Sequence, residues 1–246
     1  MTTTQKNYLI FGGIDGIGGA LAGQLTRQGH TAFVTTSTEE KANAAIQNGT
    51  PENKILFVDA LSHDTITQAV GQAAVTGLDG MAYCIGTIDL KPLSRTTPED
   101  LLRSFQINVL GAFAAIKAAA PHLAQRQGSV VLFSSIAASR GFANHAAIGT
   151  AKAALEGLAR SLAAELAPKV RINVIAPSLT DTPLAKSLTS NPKMREAIAA
   201  MHPIARLGIA EEMAEMAMFL LSEHSGWITG QTLHIDGGRS SLESLR

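Results

Sequence analysis

Short apolar runs separated by amphipathic stretches recur along this chain, and their order predicts strands alternating with helices. Tyr8-Leu-Ile-Phe11 is an apolar run that ends in glycines, and Gly19 to Gln28 follows with helical composition, so strand, tight turn and helix open the pattern. Thr31 to Thr35 reads as a second strand, Glu39 to Gln47 as a helix, Lys54 to Val58 as a strand and Asp64 to Val75 as a helix. Gly80 to Ile85 reads as the next strand. Pro98 to Ala120 predicts one long apolar helix, with Thr97 as its cap and Pro98 in its first turn. Ser129 to Phe133 is a strand, Ala146 to Leu166 a helix ended before Pro168, and Arg171 to Ile175 a strand. Glu211 to Leu221 and Thr232 to Ile235 supply the last helix and strand. Ser178 to Ile204 is polar and carries no assigned element; it is the one loop long enough to act as a lid. Strands that are apolar throughout need cover on both faces, which predicts an α/β fold: a doubly wound parallel sheet of about seven strands with helices on either side.

Composition narrows this further. Across 246 residues, 46% are hydrophobic and 16% charged, enough apolar side chain for a core and too little charge for a disordered chain. One domain spanning 1–246 is the expectation. Lys plus Arg and Asp plus Glu both number 20, so no basic face is advertised to nucleic acid. The single Cys84 forms no internal disulfide and suits a reducing compartment. The polar start Met1 to Asn7 runs into an apolar segment too short for a signal core, and no apolar run approaches membrane length, so the expected location is the cytoplasm, without membrane contact. His30, His63, His122, His202, His224 and His234 show no paired ligand spacing, and no metal is expected.

Phe11-Gly-Gly-Ile-Asp-Gly-Ile-Gly18 lies between the first strand and the first helix, where glycines let the backbone turn tightly and approach a pyrophosphate at a helix N-terminus. A tight strand-to-helix turn without a ligand is the alternative. Asp59 follows the third strand, where ligands bind in open α/β sheets; a plain helix-capping Asp is the competing reading. Together these predict a Rossmann-type nicotinamide dinucleotide site. The second strand ends in Thr35-Thr-Ser37, with neither an acid for a ribose 2′-hydroxyl nor an Arg for a 2′-phosphate. Asp15 places negative charge near the phosphates, which favours NAD over NADP, and the choice stays open.

From Tyr8 to about Gly238 the chain resembles the short-chain dehydrogenase/reductase family. Gly12-x-x-x-Gly16-Ile-Gly18 resembles its phosphate-binding turn, with Phe11 where Thr is common. Asn108 in Ile-Asn-Val-Leu-Gly, Ser135 in Phe-Ser-Ser-Ile-Ala and Lys152 in Ala-Lys-Ala-Ala-Leu-Glu-Gly match the family's helix Asn, active-site Ser and ribose-binding Lys. Ile172-Asn-Val-Ile-Ala-Pro177 and Thr182 resemble the segment on the nicotinamide side, and Trp227-Ile-Thr-Gly-Gln-Thr to Asp236-Gly-Gly238 resembles the closing strand. The resemblance implies cofactor contacts from Gly12, Asp15, Gly16, Ile17, Gly18, Ser37, Asp59, Ala60, Gly86, Lys152, Pro177, Thr180 and Thr182. It also implies a homotetramer, or next a dimer, assembled through the two long helices.

Two departures stand out. The family's Asn-Asn-Ala-Gly appears as Tyr83-Cys-Ile-Gly86, and its active-site Tyr, four residues before the Lys, is Ile148. Ser135 precedes Ile148 by 13 residues, the family's Ser-to-Tyr spacing, so the register holds. An isoleucine has no proton for a carbonyl oxygen, and losing a positioned general acid costs about 10²–10⁴ in rate. His145 lies seven residues before Lys152, which resembles the Tyr-x-x-x-x-x-x-Lys spacing of the enoyl-acyl-carrier-protein reductase branch with His in the Tyr place. The alternative for His145 is a loop or cap histidine facing solvent or a neighbouring subunit; Tyr83 could also supply a phenol, and its alternative is packing against the cofactor.

These residues predict an NAD(P)(H)-dependent oxidoreductase acting on an activated C=C or C=O bond of a small molecule, with Ser135, Lys152, Asn108 and His145 as its catalytic set. A cofactor-binding sensor or scaffold without turnover, and a non-redox isomerase or lyase using the same pocket, are the competing functions.

Overall fold

The computed structural model describes residues 5–243; the polar start at Met1 to Thr4 lies outside the described residues. Seven parallel strands form the central sheet: β1 (Asn7–Phe11), β2 (Thr31–Thr36), β3 (Ile55–Phe57), β4 (Gly80–Tyr83), β5 (Ser129–Phe133), β6 (Arg171–Pro177) and β9 (Thr232–Ile235). Their order is β3-β2-β1-β4-β5-β6-β9. A further pair of two-residue strands, β7 (Thr180–Asp181) and β8 (Gly208–Ile209), stands apart from it.

The two-residue period of a strand explains why both faces are apolar. Leu9 and Phe11 of β1, with Val130 and Leu132 of β5, pack under α3 (His63–Ala73), α5 (Gly111–Ala124) and α6 (Ala146–Leu166). Tyr8, Ile10, Val131 and Phe133 point the other way, against α1 (Gly16–Arg27), α2 (Glu39–Gln47) and α9 (Ala210–Leu221). The strand order reverses between β1 and β4, and ligands bind in the crevice that such a reversal opens at the carboxyl ends of the strands.

Three local expectations need correction. The long helix predicted over Pro98 to Ala120 is α4 (Pro98–Phe105), a π-turn at Gln106–Leu110, then α5, running on to Ala124 through Pro121. A π-turn frees a carbonyl from the helical ladder, and the Tyr83 hydroxyl donates to Ile107 O at 2.8 Å. Gly111 permits this, because a Cβ there would stand 2.2 Å from the Tyr83 hydroxyl oxygen. The same stretch, residues 98–124, is long and apolar enough by composition to cross a membrane, contrary to the expectation that no run approaches that length; in this fold 56% of its most apolar window is buried. Finally, the polar segment Ser178 to Ile204 holds β7, a 3-10 turn at Pro183–Ala185, α7 (Lys186–Thr189) and α8 (Pro192–Ala200), the last capped by Asn191 Oδ1 on two backbone N–H groups.

Candidate active site

The glycine turn after β1 is shaped by contacts that only glycine allows. Gly12 and Gly16 have φ of +71° and +54°, and a Cβ on Gly18 would lie 2.2 Å from Gly12 O. Gly12 N donates to Thr35 Oγ1 at 3.0 Å, tying the turn to β2. Asp15 precedes α1 yet makes no side-chain cap, and no acid stands in the first turn, so the helix start presents its N–H groups without a protein anion on them. These groups open on a cleft of about 410 Å³ lined by Gly12, Asp15, Gly16, Ile17, Gly18, Ser37, Ala60, Gly86 and Thr182. Nine of the cofactor residues expected from sequence therefore share one cleft.

Asp59, Pro177 and Thr180 fall elsewhere. Asp59 Oδ1 accepts from Leu61 N at 2.9 Å, while its neighbours Val58 and Ala60 face the cleft. Pro177 and Thr180 line a second cavity of about 300 Å³, which meets the first at Ile17, Cys84, Gly86, Thr182 and Leu184. Lys41, which no motif marks, also lines the cleft and pairs with Asp15 at 2.9 Å. The two are 26 residues apart, and only folding reveals the pair.

The second cavity gathers Ser135, His145, Ile148 and Lys152 on walls that are otherwise mostly apolar. β5 delivers two serines with different fates. The Ser134 hydroxyl is used internally, donating to Glu156 Oε1 at 2.6 Å. Ser135 faces the cavity; its Oγ accepts from Ala137 N at 3.2 Å, which leaves its proton to donate. Lys152 is buried, and its Nζ donates to Phe133 O at 2.7 Å. Burial pushes its pKa down to about 8, because an ammonium loses hydration there. Asn108, held in the π-turn, donates through Nδ2 to Ser104 O at 2.9 Å, while its Oδ1 is buried without a protein partner. A Cβ on Gly86 would lie 3.1 Å from Asn108 Oδ1 and 3.3 Å from Lys152 Nζ, so the three meet at the junction of cleft and cavity. An unpaired acceptor beside an ammonium at that junction suits the hydroxyls of a dinucleotide's ribose, and the glycine cradle suits its pyrophosphate.

His145 stands immediately before α6, half-buried, its ring 5.4 Å from Phe142. Its Nδ1 meets Ala143 O at 2.7 Å, so Nδ1–H donates and, in the neutral ring, Nε2 is the open lone pair. Tyr83 is buried and spent on Ile107 O, which removes it as a proton source; burial pushes its pKa upward. Cys84, at the boundary of the two cavities, is likewise pushed up to about 12 by burial and stays a thiol. Among the described residues no group of three or more His, Cys, Asp or Glu is placed to hold a metal.

A family model described as enoyl-(acyl carrier protein) reductase matches residues 12–240. Carbonyl reductase family member 4 of Danio rerio is 32% identical over 238 residues, covering 95% of this chain and 98% of its own. The 3-oxoacyl-(acyl-carrier-protein) reductase of Aquifex aeolicus is 29% identical over 241 residues, covering 95% and 96%. Among solved structures, a short-chain dehydrogenase/reductase from Mycobacterium ulcerans superposes with a TM-score of 0.90 at 30% identity, over 98% of this chain and 91% of that one. ElxO with NADP bound gives 0.89 at 29% identity, over 97% and 100%. The chain belongs to the short-chain dehydrogenase/reductase family, whose members are NAD(P)-dependent oxidoreductases.

Proposed function

We propose that this protein reduces an activated C=C or C=O bond with NAD(P)H, using a proton-transfer side unlike the one the family resemblance implies. The observation that carries this reading is the single cavity shared by Ser135, His145 and Lys152, joined to the glycine cleft, with Ile148 at the position where the family resemblance implies a Tyr. The reduced cofactor supplies a hydride. On an α,β-unsaturated carbonyl, hydride at the β-carbon leaves an enolate, and Ser135 donates a hydrogen bond to that oxygen. Lys152 and Asn108 hold the ribose hydroxyls. Protonated His145 releases its Nε2 proton to the product and recovers it from solvent.

At the adenosine end, β2 offers hydroxyls from Thr35, Thr36 and Ser37, and Lys41 neutralises Asp15. The preference for NAD that Asp15 alone suggests loses its electrostatic basis, and both NAD(H) and NADP(H) are expected to bind within about tenfold of each other, since an exposed ion pair contributes about 0–1 kcal/mol. Fluorescence titration of both cofactors, followed by absorbance of the reduced form with enoyl thioesters, ketones and alcohols, tests the proposal. Binding of neither cofactor overturns it. Binding without turnover on the whole panel favours a sensor, the reading that buried, apolar Ile148 supports.

His145→Ala is expected to lower turnover at least tenfold, toward the low end of a general acid's contribution of about 10²–10⁴, with cofactor affinity unchanged. An unaltered rate removes His145 from the chemistry. The segment 178–204 is proposed as the lid, since Leu184, Ala185, Leu188 and Ile198 roof the cavity. Exposed Leu102 and Phe113 on α4 and α5 support a homotetramer through the long helices, for which light scattering should return about four times the chain mass of 25.7 kDa.

A further inference from the structure

We propose that the inner cavity takes a substrate carrying a carboxylate, which Arg239 binds; this rests on the reading of that cavity as the substrate site. Arg239 lines the cavity from the segment after β9, half-buried, opposite a predominantly apolar wall that includes Leu90, Ile148, Leu184 and Leu188. Among the described residues it has no ion-pair partner. The nearest acid in sequence, Asp236, is engaged by backbone: Oδ1 accepts from Gly238 N at 2.9 Å and Oδ2 from Ser240 N at 2.8 Å.

The guanidinium is nonetheless held in place. Arg239 Nη1 donates to Ser178 Oγ at 3.3 Å, and Ser178 Oγ in turn lies 2.8 Å from Nε2 of buried His202. His202 Nδ1 donates to Ile198 O at 2.9 Å, so its Nε2 accepts the Ser178 proton and Ser178 presents a lone pair to Arg239. Among the described residues Nη2 finds only the Met201 sulfur, at 3.4 Å. The Arg239 guanidinium carbon is 5.1 Å from the centre of the Phe142 ring, and that of Arg140 is 5.9 Å from the same centre. Arg140 also donates to Arg239 O. Two cations thus share one aromatic ring at the cavity wall, and among the described residues neither forms an ion pair, although the Asp236 charge is felt by Arg239.

A positioned, partly dehydrated cation with spare N–H donors beside apolar walls is complementary to an anion on an apolar body. A single planar fork suits the two oxygens of a carboxylate. A cavity of about 300 Å³ is at the small end of ligand pockets, so the body is a short chain or one ring.

The test uses the full chain saturated with oxidised cofactor and two probes, 4-phenylbutanoate and its methyl ester, titrated by calorimetry. The wild-type protein is expected to bind the carboxylate at least tenfold more tightly than the ester. Arg239→Gln should abolish that preference with cofactor affinity and Tm unchanged, and Arg239→Lys should restore part of it. Equal affinities in the wild type, failure of both probes to bind a protein that binds cofactor, or a preference that survives Arg239→Gln would each overturn the proposal. Failure of the reductase reading shows separately, in the cofactor titration and turnover panel performed without probe.

Discussion

Ile148→Tyr is expected to raise NAD(P)H-dependent ketone reduction by about 10²–10⁴, the typical worth of a positioned general acid. Ile148 lies one helical turn before Lys152 on the same face of α6, and both line the cavity with Ser135. A phenol there has cavity space to enter, so the larger ring need not displace core. Its neighbour is a buried ammonium whose pKa of about 8 leaves it charged at neutral pH. That charge stabilises phenolate and draws the new Tyr pKa down from about 10. Reduction of a simple ketone makes an alkoxide, which needs a proton; conjugate reduction makes an enolate, which needs mainly a hydrogen bond. The gain should therefore be large for ketones and small for enoyl substrates, measured as kcat/KM on matched pairs. No gain on ketones, in a variant of unchanged Tm, would mean that the substrate-side geometry has also diverged.

The fold and the site are legible in the sequence to a degree that differs from element to element. The helix over Ala146 to Leu166 and the strands at Ser129 to Phe133 and Thr232 to Ile235 occur where the apolar pattern places them, because their ends are marked locally. The glycine turn was legible for the same reason: its φ values and close backbone approach exclude other residues. The π-turn was not legible, since it depends on Tyr83 reaching Ile107 across 24 residues. Helix α8 had a readable start, Asn191 before Pro192, which the polar composition of the surrounding segment obscured. Asp59 was ambiguous because a strand-end Asp serves its own turn as readily as a ligand, and here its Oδ1 accepts from Leu61 N. Arg239 and Lys41 carry no motif. Each becomes informative only through partners brought to it by folding: Ser178, 61 residues before Arg239, and Asp15, 26 before Lys41.

Lys152→Met should alter stability and cofactor binding in different ways, and the stability effect has a defined pH course. The folded-state pKa of Lys152 is about 8 against 10.5 for the free side chain, so between those values the unfolded chain binds the additional proton. Stability contributed through this group therefore rises as pH climbs from 8 toward 10.5, and below 8 the fold carries the full cost of the buried charge. A difference of 10.5 less 8 corresponds to on the order of 3 kcal/mol. Cys84 and Tyr8, both pushed up to about 12, act in the opposite sense, because the unfolded chain ionises them first as pH rises past about 9 and 10. Tyr8 contributes equally to both proteins, whereas Cys84 feels the Lys152 charge and loses that influence in the variant, so the wild-type minus variant difference reports the lysine together with its coupling to Cys84. Near neutral pH the variant escapes the dehydrated charge but strands Phe133 O, which loses its 2.7 Å donor at a cost of about 1–3 kcal/mol, and the two effects nearly cancel. Urea unfolding at pH 7, 8, 9 and 10 should show wild type gaining on Lys152→Met with each step above 8; a flat difference would refute a buried ammonium. If Lys152 holds the ribose as proposed, cofactor affinity should meanwhile fall at least tenfold at every pH, as an amine with spare protons to donate is replaced by a thioether with none to give.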